Sequence, residues 1–181
     1  MAAPRFPQFD PLAPRARHQG WLEAVARTAL GRRFGIDVAS RLDPWLLRIS
    51  GGRLRTFVGS PTAALTTTGA RSGQPRTAAV LYFTDGDAVI LIASNFGQDH
   101  HPGWYHNLCA NPRAVLERNG VRVSFDASEV RSETERERLF QLAQHLYRGY
   151  ADYRRRTAAL GRRIPIMRLE PCAPASRDAD R

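Results

Sequence analysis

The chain has 181 residues, of which 43% are hydrophobic and 24% are charged, and this is enough for one globular domain with its own core. With two cysteines, no secretion signal and no apolar run near the roughly 20 residues that span a bilayer, we expect a cytoplasmic protein rather than a disulfide-stapled secreted or membrane-spanning one. The net charge is +10, and all 27 basic residues are arginine. The excess of arginine over acidic residues falls in residues 1–55 and 131–181, and the middle of the chain is nearly neutral. This distribution argues against general nucleic-acid binding by the middle segment.

The first 55 residues are predicted to form a tail and two helices that precede the main domain. Residues 1–14 contain four prolines and no apolar periodicity, which is typical of a poorly ordered tail. Apolar residues recur at intervals of three and four over 15–34, and a second, short helix is expected over 44–49. The helix over 15–34 also carries arginines, so it is predicted to cover the domain, with peripheral contact to an anionic membrane as the alternative.

A β-rich domain is predicted over 56–171, followed by a disordered tail over 172–181. Its strands are expected at 63–68, 77–84, 88–94, 114–118, 121–127 and 164–169. Asp85-Gly86 and Asn119-Gly120 are strong hairpin signals, and a short helix over 102–110 lies between the two hairpins. Because the strands do not alternate with helices, the predicted fold class is α+β, with an antiparallel β-barrel and helices on its outside.

One long helix is predicted to begin at Ser132, where Glu135 completes a capping box. The buried stripe of this helix is expected to consist of Leu139, Leu142, Ala143, Leu146 and Tyr150. Tyr147, Tyr150 and Tyr153 follow at intervals of three and fan over one side of the helix. Three phenols indicate an apolar surface that can also form hydrogen bonds, and the alternative is ordinary packing of the helix on the barrel.

The turn after the first strand, residues 69–76 with the sequence GARSGQPR, is a candidate anion site. Its two glycines let backbone N–H groups approach an anion closely, and Arg71, Ser72 and Arg76 can donate further hydrogen bonds. The dinucleotide fingerprint GxGxxG and the P-loop GK[ST] are both missing. The alternative interpretation is a hairpin loop whose arginines are merely solvated.

The segment 98–107 is dense in polar and aromatic residues, including three histidines. No second ligand cluster accompanies them, and neighbours such as His100 and His101 rarely point at one ion, so we predict no metal site. Trp104 is expected to anchor the loop, or to form a wall for a flat ligand. Cys109 and Cys172 belong to no motif and are expected to be buried, inert thiols.

Four segments, TTTGARSGQPR, LIASNFG, HPGWYHNLCANPRA and YRGYADY, together resemble the deazaflavin-dependent nitroreductases of actinobacteria. The resemblance covers about residues 60–170, in the same order and with similar spacing. It implies a split β-barrel, related in fold to flavin-binding pyridoxamine-phosphate-oxidase-like proteins. It also implies coenzyme F420, a deazaflavin with a phospholactyl oligoglutamate tail, and hydride transfer from its reduced form to a quinone, nitroaromatic or activated enone.

The resemblance also implies which residues form the site. The cofactor-binding residues are expected to be Ala70, Arg71, Ser72, Arg76, Val80, Leu81, Tyr82, Ile92, Ala93, Ser94, Asn95, Gly103, Trp104, Tyr105, His106, Asn107 and Tyr150. Ser94, Tyr147, Tyr150 and Tyr153 are the candidate catalytic residues, with the tyrosines lining the acceptor pocket above the ring and donating or orienting a proton.

Three positions depart from the pattern that is common in similar proteins. Ala70-Arg71 stands where two basic residues are frequent, Asn95-Phe96-Gly97 stands where Lys-Gly-Gly is frequent, and Ala79 stands where proline is frequent. These departures remove a cation from the tail site and a cation beside the ring, and they add an aromatic ring. We expect the cofactor class to be retained.

Three alternatives are kept beside this prediction. The first is a split-barrel oxidoreductase that uses flavin mononucleotide (FMN). The second is a non-catalytic protein that carries the cofactor or a lipid. Nucleic-acid binding comes last, since charge attraction alone gives no sequence preference and is lost in moderate salt. The expected partner is a small-molecule electron acceptor, and the oligomeric state is left open.

Overall fold

The computed structural model describes residues 5–13 and 61–172. Its strands are β1 (Thr62–Thr68), β2 (Pro75–Asp85), β3 (Ala88–Ile92), β4 (Arg113–Arg118), β5 (Val121–Glu129) and β6 (Ile166–Pro171). Its α-helices are α1 (Gly103–Ala110), α2 (Glu133–Leu146) and α3 (Gly149–Ala159). All neighbouring strands are antiparallel and close a barrel in the order β1-β2-β3-β6-β5-β4, which confirms the predicted α+β split barrel.

Both predicted hairpins are present. Gly86 has a φ of 63° between β2 and β3, and Asn119 and Gly120 have φ values of 51° and 79° between β4 and β5. The two consecutive left-handed residues at 119–120, and the single left-handed glycine at the first central position of the turn over 86–87, both twist the chain in the sense that flanking antiparallel strands require. The short Asx-Gly sequences therefore set both connections locally.

The barrel has two ends, which are covered by different parts of the chain. The connection between β1 and β2 lies at one end, here called the turn end, and α1 leads into β4 there, because Ala114 pairs with Thr67. The two hairpins lie at the opposite, hairpin end. Since β3 runs antiparallel to β2, its last residue Ile92 points the chain back toward the turn end.

Alternate residues of the strands fill the barrel, and β3 is buried on both of its faces. Val89 and Leu91 belong to the barrel interior, whereas Ile90 and Ile92 belong to a second apolar cluster beneath α2 and α3. Burial of one such side chain contributes about 1.5–3 kcal/mol. The third strand thus holds the helical layer on the barrel.

Residues 5–13 pack against the barrel, where the sequence predicts a poorly ordered tail. Phe6 is only 5% exposed, and its ring centroid lies 5.2 Å from that of Tyr82. Thr84 N donates a hydrogen bond to Phe9 O at 3.0 Å, and Phe9 N donates one to Thr84 Oγ1 at 3.0 Å. Two phenylalanines among the prolines are sufficient to dock this segment near the hairpin end.

The prediction of one long helix is wrong, because α2 ends at Leu146 and α3 begins at Gly149. Tyr147 is extended, with φ −151° and ψ 110°, and its ring folds over Gly149 so closely that a Cβ there would meet ring atoms at 2.3 Å. The chain is therefore non-helical at Tyr147, where the Tyr147 ring packs on the Cα of Gly149. Half of the predicted capping box is present: the Ser132 side chain accepts from Glu135 N, whereas the Glu135 carboxylate accepts from Arg138 and Arg168.

The helices predicted over 15–34 and 44–49 lie outside the described residues, as do residues 173–181. Within 5–13 and 61–172, no helix is both long and apolar enough to cross a membrane.

Candidate functional site

The turn of residues 69–76 is tightly closed on itself. Gly69 N donates to Gln74 O at 2.9 Å, and Gly73 N donates to Gly69 O at 2.8 Å. A Cβ on Gly69 would lie 2.7 Å from Ser72 Oγ, so this close approach needs glycine. The side chains of Arg71 and Arg76 lie outside this closed loop and are exposed.

Asn107 joins this turn to α1, although the two segments are far apart in sequence. Its Oδ1 accepts a hydrogen bond from Ala70 N at 3.0 Å, and its Nδ2 donates one to Thr67 Oγ1 at 3.0 Å. Both ends of the amide are thus committed within the protein. Asn107 therefore holds the turn in place, a role that the sequence did not indicate.

The turn and α1 contribute no carboxylates of their own. Residues 61–84 and 103–110 contain no aspartate or glutamate. Within the part of the chain that the structure describes, neither Arg71 nor Arg76 has a carboxylate oxygen within 4.0 Å. Both cations are therefore available to an anion from outside the protein.

The first helix covers the turn end with a buried and an exposed side. Leu108 is 2% exposed in the barrel core, and Trp104 and Tyr105 pack against that core, so Trp104 is an anchor as predicted. Tyr105 Oη donates to Glu129 Oε2 at 2.9 Å, and burial raises the pKa of this phenol well above its ordinary value. Gly103 and His106 are exposed on the other side.

The chain after β3 forms a short helical turn, Asn95–Gly97, that follows Ser94. Asn95, Phe96 and Gly97 all have left-handed φ values, of 49°, 54° and 75°. Gly97 N donates to Ser94 O at 3.0 Å, and Asn95 Nδ2 donates to His100 O at 3.1 Å. Ser94 is 8% exposed, and its hydroxyl makes no hydrogen bond to another residue of the described ranges.

Arg162 binds the backbone at the start of this loop. It is not among the site residues that the sequence predicts. Its Nη2 donates to Ser94 O at 2.5 Å, and its Nη1 donates to Ala93 O at 3.3 Å. Nη1 also lies 2.8 Å from His101 Nδ1, which must accept because an arginine has only donors. Burial, together with the charge of Arg162, lowers the pKa of His101, so this ring is neutral around pH 7. No spacing pattern in the sequence connects these positions.

The three predicted tyrosines meet in one cluster, despite the break in the helix. The ring centroids of Tyr147 and Tyr150 are 5.5 Å apart, those of Tyr150 and Tyr153 are 6.2 Å apart, and Tyr147 Oη lies 3.3 Å from Tyr153 Oη. Tyr150 and Tyr153 are 4% and 6% exposed, whereas Tyr147 is partly buried. Burial raises the pKa of Tyr150, so its phenol keeps its proton at neutral pH.

The remaining predicted cofactor contacts lie mostly in the core. Val80 and Tyr82 face the barrel interior, Ile92 lies under the helices, and Ala93 is fully buried. Leu81 faces outward and is partly exposed. A ligand on the outer surface would therefore meet the Leu81 side chain and, at the other four positions, the backbone.

The residues at the turn end fit the cofactor that the resemblance implies. Two arginines beside a glycine turn, neither with a carboxylate partner among residues 5–13 and 61–172, match the phosphate and glutamate carboxylates of an F420 tail. The Ser94 hydroxyl and the tyrosine cluster supply a polar edge and flat apolar surfaces for a deazaflavin ring and an acceptor. Although Ala70 stands where similar proteins often have a second cation, Arg71, Ser72 and Arg76 remain as donors to the tail.

Other parts of the described chain offer no comparable site. Among residues 5–13 and 61–172, no group of three or more His, Cys, Asp or Glu side chains is arranged to hold a metal ion. Two open cavities of about 400 Å³ are both lined by Arg136, Arg162 and Arg163, and the second is also lined by His101 and Tyr105. Cys109 is exposed and Cys172 is partly exposed, so the expectation of two buried thiols is wrong: Leu108 takes the inward position of α1 and leaves its neighbour outside.

Known proteins resemble this chain over most of its length. Residues 39–171 match the family model described as F420H(2)-dependent quinone reductase. A relative of that name from Mycobacterium tuberculosis strain H37Rv is 35% identical over 144 residues, which cover 77% of this chain and 94% of the relative. A solved F420-H2-dependent reductase, FDR-A, is 33% identical with a TM-score of 0.54 and covers 61% of this chain and 94% of its own. A solved structure described as a domain-swapped dimer is 30% identical with a TM-score of 0.56, and covers 72% of this chain and 96% of its own.

Proposed function

The chain belongs to the F420H(2)-dependent quinone reductase family, and we propose from this premise that it passes a hydride from reduced coenzyme F420 to a quinone. It is thus an F420H2-dependent oxidoreductase. The observation that supports the cofactor site is the acid-free turn with Arg71 and Arg76, fixed to α1 by Asn107. Nitroaromatics and activated enones share the electrophilic character of quinones and are further candidate acceptors.

In this proposal the turn binds the anionic tail. Arg71 and Arg76 form charge-assisted hydrogen bonds to its phosphate and carboxylates, and Ser72 adds a hydroxyl donor. Asn107 keeps the Ala70 backbone in the conformation that presents both arginines. A charge-assisted hydrogen bond contributes about 1.5–3 kcal/mol, so two such residues account for a large share of micromolar binding.

In this proposal the segment from Ile92 to Asn95 and residues 103–107 would hold the ring of the cofactor. Arg162 keeps that segment fixed through the carbonyls of Ala93 and Ser94. A fixed segment holds the reacting atoms at a constant distance, and this supplies much of the rate enhancement in reactions between two bound molecules. The partly buried Trp104, which packs against the barrel core, keeps α1 in place and helps to exclude water.

When bound, reduced F420 supplies a hydride from its C5 and releases one proton, so the quinone gains a hydride and one proton and becomes a hydroquinone. The protein orients the acceptor and provides that proton. Tyr147 Oη and Tyr153 Oη share a hydrogen bond, so a proton given up by one can be replaced from the other. Tyr150 stays protonated because burial raises its pKa, and it can therefore stabilise a developing oxyanion with a hydrogen bond.

Anaerobic turnover of reduced F420 with menadione, a naphthoquinone, tests this function. We expect saturable oxidation of the cofactor, and binding of oxidised F420 but not of FMN in parallel fluorescence titrations. Binding of FMN alone would favour the flavin alternative, and F420 binding without turnover of any quinone, nitroaromatic or enone would make the protein a carrier.

Tyr150→Phe separates chemistry from binding. It removes one hydroxyl from the acceptor side, so we expect kcat to fall about tenfold or more while the Kd for F420 changes less than twofold. Equal kcat values in the variant and the parent protein would reduce Tyr150 to a packing residue.

We also propose peripheral contact with anionic membranes through residues 15–34, which would bring the enzyme close to a membrane quinone. The support is the sequence of this segment, with apolar residues at helical spacing beside arginines. Cosedimentation of the full chain with phosphatidylglycerol vesicles, lost in high salt, is the expected result. No cosedimentation at low salt would refute the contact.

A further inference from the structure

We propose that Phe96 determines which acceptors the enzyme prefers, by forming an aromatic wall beside the tyrosine cluster that favours flat conjugated acceptors over compact non-planar ones. This inference rests on the proposed function, because it concerns the acceptor side of the same site. It assigns a role to a residue outside both the cofactor-binding and the catalytic candidates.

The backbone at Phe96 adopts a conformation that a bulky side chain rarely takes. Its φ is 54° and its ψ is 20°. Within residues 5–13 and 61–172, the other two non-glycine residues with positive φ are Asn95 and Asn119, and asparagine tolerates this region through its short polar side chain. Phenylalanine has no such compensation, so its strain is held by the surrounding structure.

The ring of Phe96 is a partly buried neighbour of the tyrosine cluster. Its centroid is 6.5 Å from that of Tyr153 at an interplanar angle of 71°, and the centroid of Tyr147 is 5.9 Å from that of Tyr153. Phe96 and Tyr147 are both partly buried, whereas Tyr153 is buried. In this proposal Phe96 and Tyr147 are the two partly exposed rings that a flat acceptor meets.

The loop is pressed against α3, so the position of this ring is fixed. A Cβ on Gly97 would lie 3.2 Å from Tyr153 Cδ1 and 3.3 Å from its Cα. Arg162 also fixes the carbonyl of Ser94, two residues before Phe96. These two contacts restrain the loop, so the Phe96 ring keeps its position beside Tyr153.

The loop that carries the ring is uncharged, because residues 93–98 contain no charged side chain. In the neighbouring cluster, the guanidinium carbon of Arg156 lies 5.9 Å from the centroid of the Tyr153 ring. The nearest rings belong to tyrosines whose hydroxyls can hydrogen-bond a carbonyl oxygen at the edge of the acceptor. A neutral bicyclic quinone presents both features, a conjugated face and carbonyl oxygens in its plane.

Two variants at this position test the proposal. Phe96→Gly removes the ring and relieves the strain, and Phe96→Leu keeps the apolar bulk without a ring. Asn119→Gly is the matched control, because it relieves a left-handed conformation in the hairpin between β4 and β5, at the other end of the barrel. For each protein, kcat/KM is measured with menadione and with cyclohex-2-enone, alongside the Kd for F420.

We expect both Phe96 variants to lower kcat/KM for menadione about five- to tenfold, as the loss of an aromatic stacking contact predicts. The value for cyclohexenone and the Kd for F420 should change less than twofold, and Asn119→Gly should leave the ratio of the two kcat/KM values unchanged. An equal change with both acceptors, or no change with menadione, would overturn the proposal and leave Phe96 as a packing residue. If the parent protein binds F420 but reduces neither acceptor, the proposed function fails first and this inference fails with it.

Discussion

The arginines of this protein are used in opposite ways in two regions of the barrel. At the turn end, Arg71 and Arg76 lie in stretches without acidic residues and have no carboxylate partner in the described chain. On the side of the barrel where α2 packs, Arg138 and Arg168 each contact both Asp85 and Glu135, at 2.6–3.0 Å. The first pair is available to a ligand, whereas the second ties α2 to β2 and β6.

This difference shows that arginine content alone does not reveal function. The chain has 27 arginines, and their distribution in the sequence first suggested that the flanking segments carry the excess positive charge. The local absence of carboxylates identifies the candidate binding residues in a segment that is nearly neutral overall. The presence or absence of carboxylate partners is therefore a better guide to the role of an arginine than its charge alone.

Arg162 belongs to neither region, and replacing it gives the largest expected effect. Arg162 is 8% exposed, and its guanidinium donates to two carbonyls and to His101. Within the described ranges it has no carboxylate oxygen within 4.0 Å. Arg162→Met leaves the Ala93 and Ser94 carbonyls without their donor, so we expect the free energy of unfolding to fall by about 2–4 kcal/mol. Urea denaturation measures this.

The same change should also weaken F420 binding, because the Ser94 loop loses its support. Arg162→Lys serves as the comparison, since it keeps the charge but cannot reach three acceptors with one ammonium group. A stable Arg162→Met protein with unchanged F420 affinity would contradict the positioning role.

Adding a carboxylate to the acid-free turn sharpens the comparison. Ser72 Oγ accepts a hydrogen bond from Gln74 N at 3.3 Å, and the side-chain oxygens of Asp or Asn can take over that acceptor role. Ser72→Asp also places a negative charge beside Arg71 and Arg76, whereas Ser72→Asn does not. We expect F420 to bind about five- to tenfold more weakly to the Asp variant than to the Asn variant at low salt, with the difference shrinking as salt is added. Equal affinities would show that the tail lies elsewhere.

Breaking the paired network should affect stability and not binding. Arg138→Gln removes contacts to both Asp85 and Glu135, and because the Arg138 side chain is 47% exposed we expect a loss of about 1 kcal/mol in the free energy of unfolding. Arg155→Gln is the control, because Arg155 is 79% exposed and pairs with one carboxylate of its own helix. A drop in F420 affinity for Arg138→Gln would remove the distinction between the two regions.

The smallest expected effect is on the pH dependence of stability. Hydrogen bonds from Arg138 hold the pKa values of Asp85 and Glu135 below their ordinary values of 3.8 and 4.5. A carboxyl whose pKa is lowered by folding stabilises the protein above its unfolded pKa, and the stabilisation is lost as the pH falls through the folded pKa. Stability should therefore decline below about pH 4.5, and the decline should be shallower in Asp85→Asn. An identical acid profile in that variant would contradict this assignment.

Features set by neighbouring residues were predictable from the sequence. Asp85-Gly86 and Asn119-Gly120 fix their hairpins through local backbone preferences, and Ser132 caps its helix three residues from Glu135. The glycine turn was also identified as a candidate anion site from its own residues. These predictions needed no knowledge of distant contacts.

Features that depend on contacts between distant segments were not predictable. The docking of Phe6 requires the barrel interior to exist, because its ring packs on Tyr82, 76 residues away. Asn107 lies 37 residues from the backbone that it holds, and Arg162 lies 68 residues from Ser94. Periodicity and motif spacing carry no information about such pairs.

The most direct measurement of the central claim is a fluorescence titration with F420 and with the same deazaflavin lacking its phosphate and glutamate tail. The proteins compared are the parent, Arg71→Ala/Arg76→Ala, and Arg5→Ala/Arg122→Ala, which removes two exposed arginines at the hairpin end. We predict that the first double variant weakens F420 binding about 100-fold or more, leaves binding of the tail-less deazaflavin unchanged, and thereby removes the preference for the tail. An equal loss in both double variants, or a loss that extends to the tail-less deazaflavin, would contradict the assignment of the turn as the tail site.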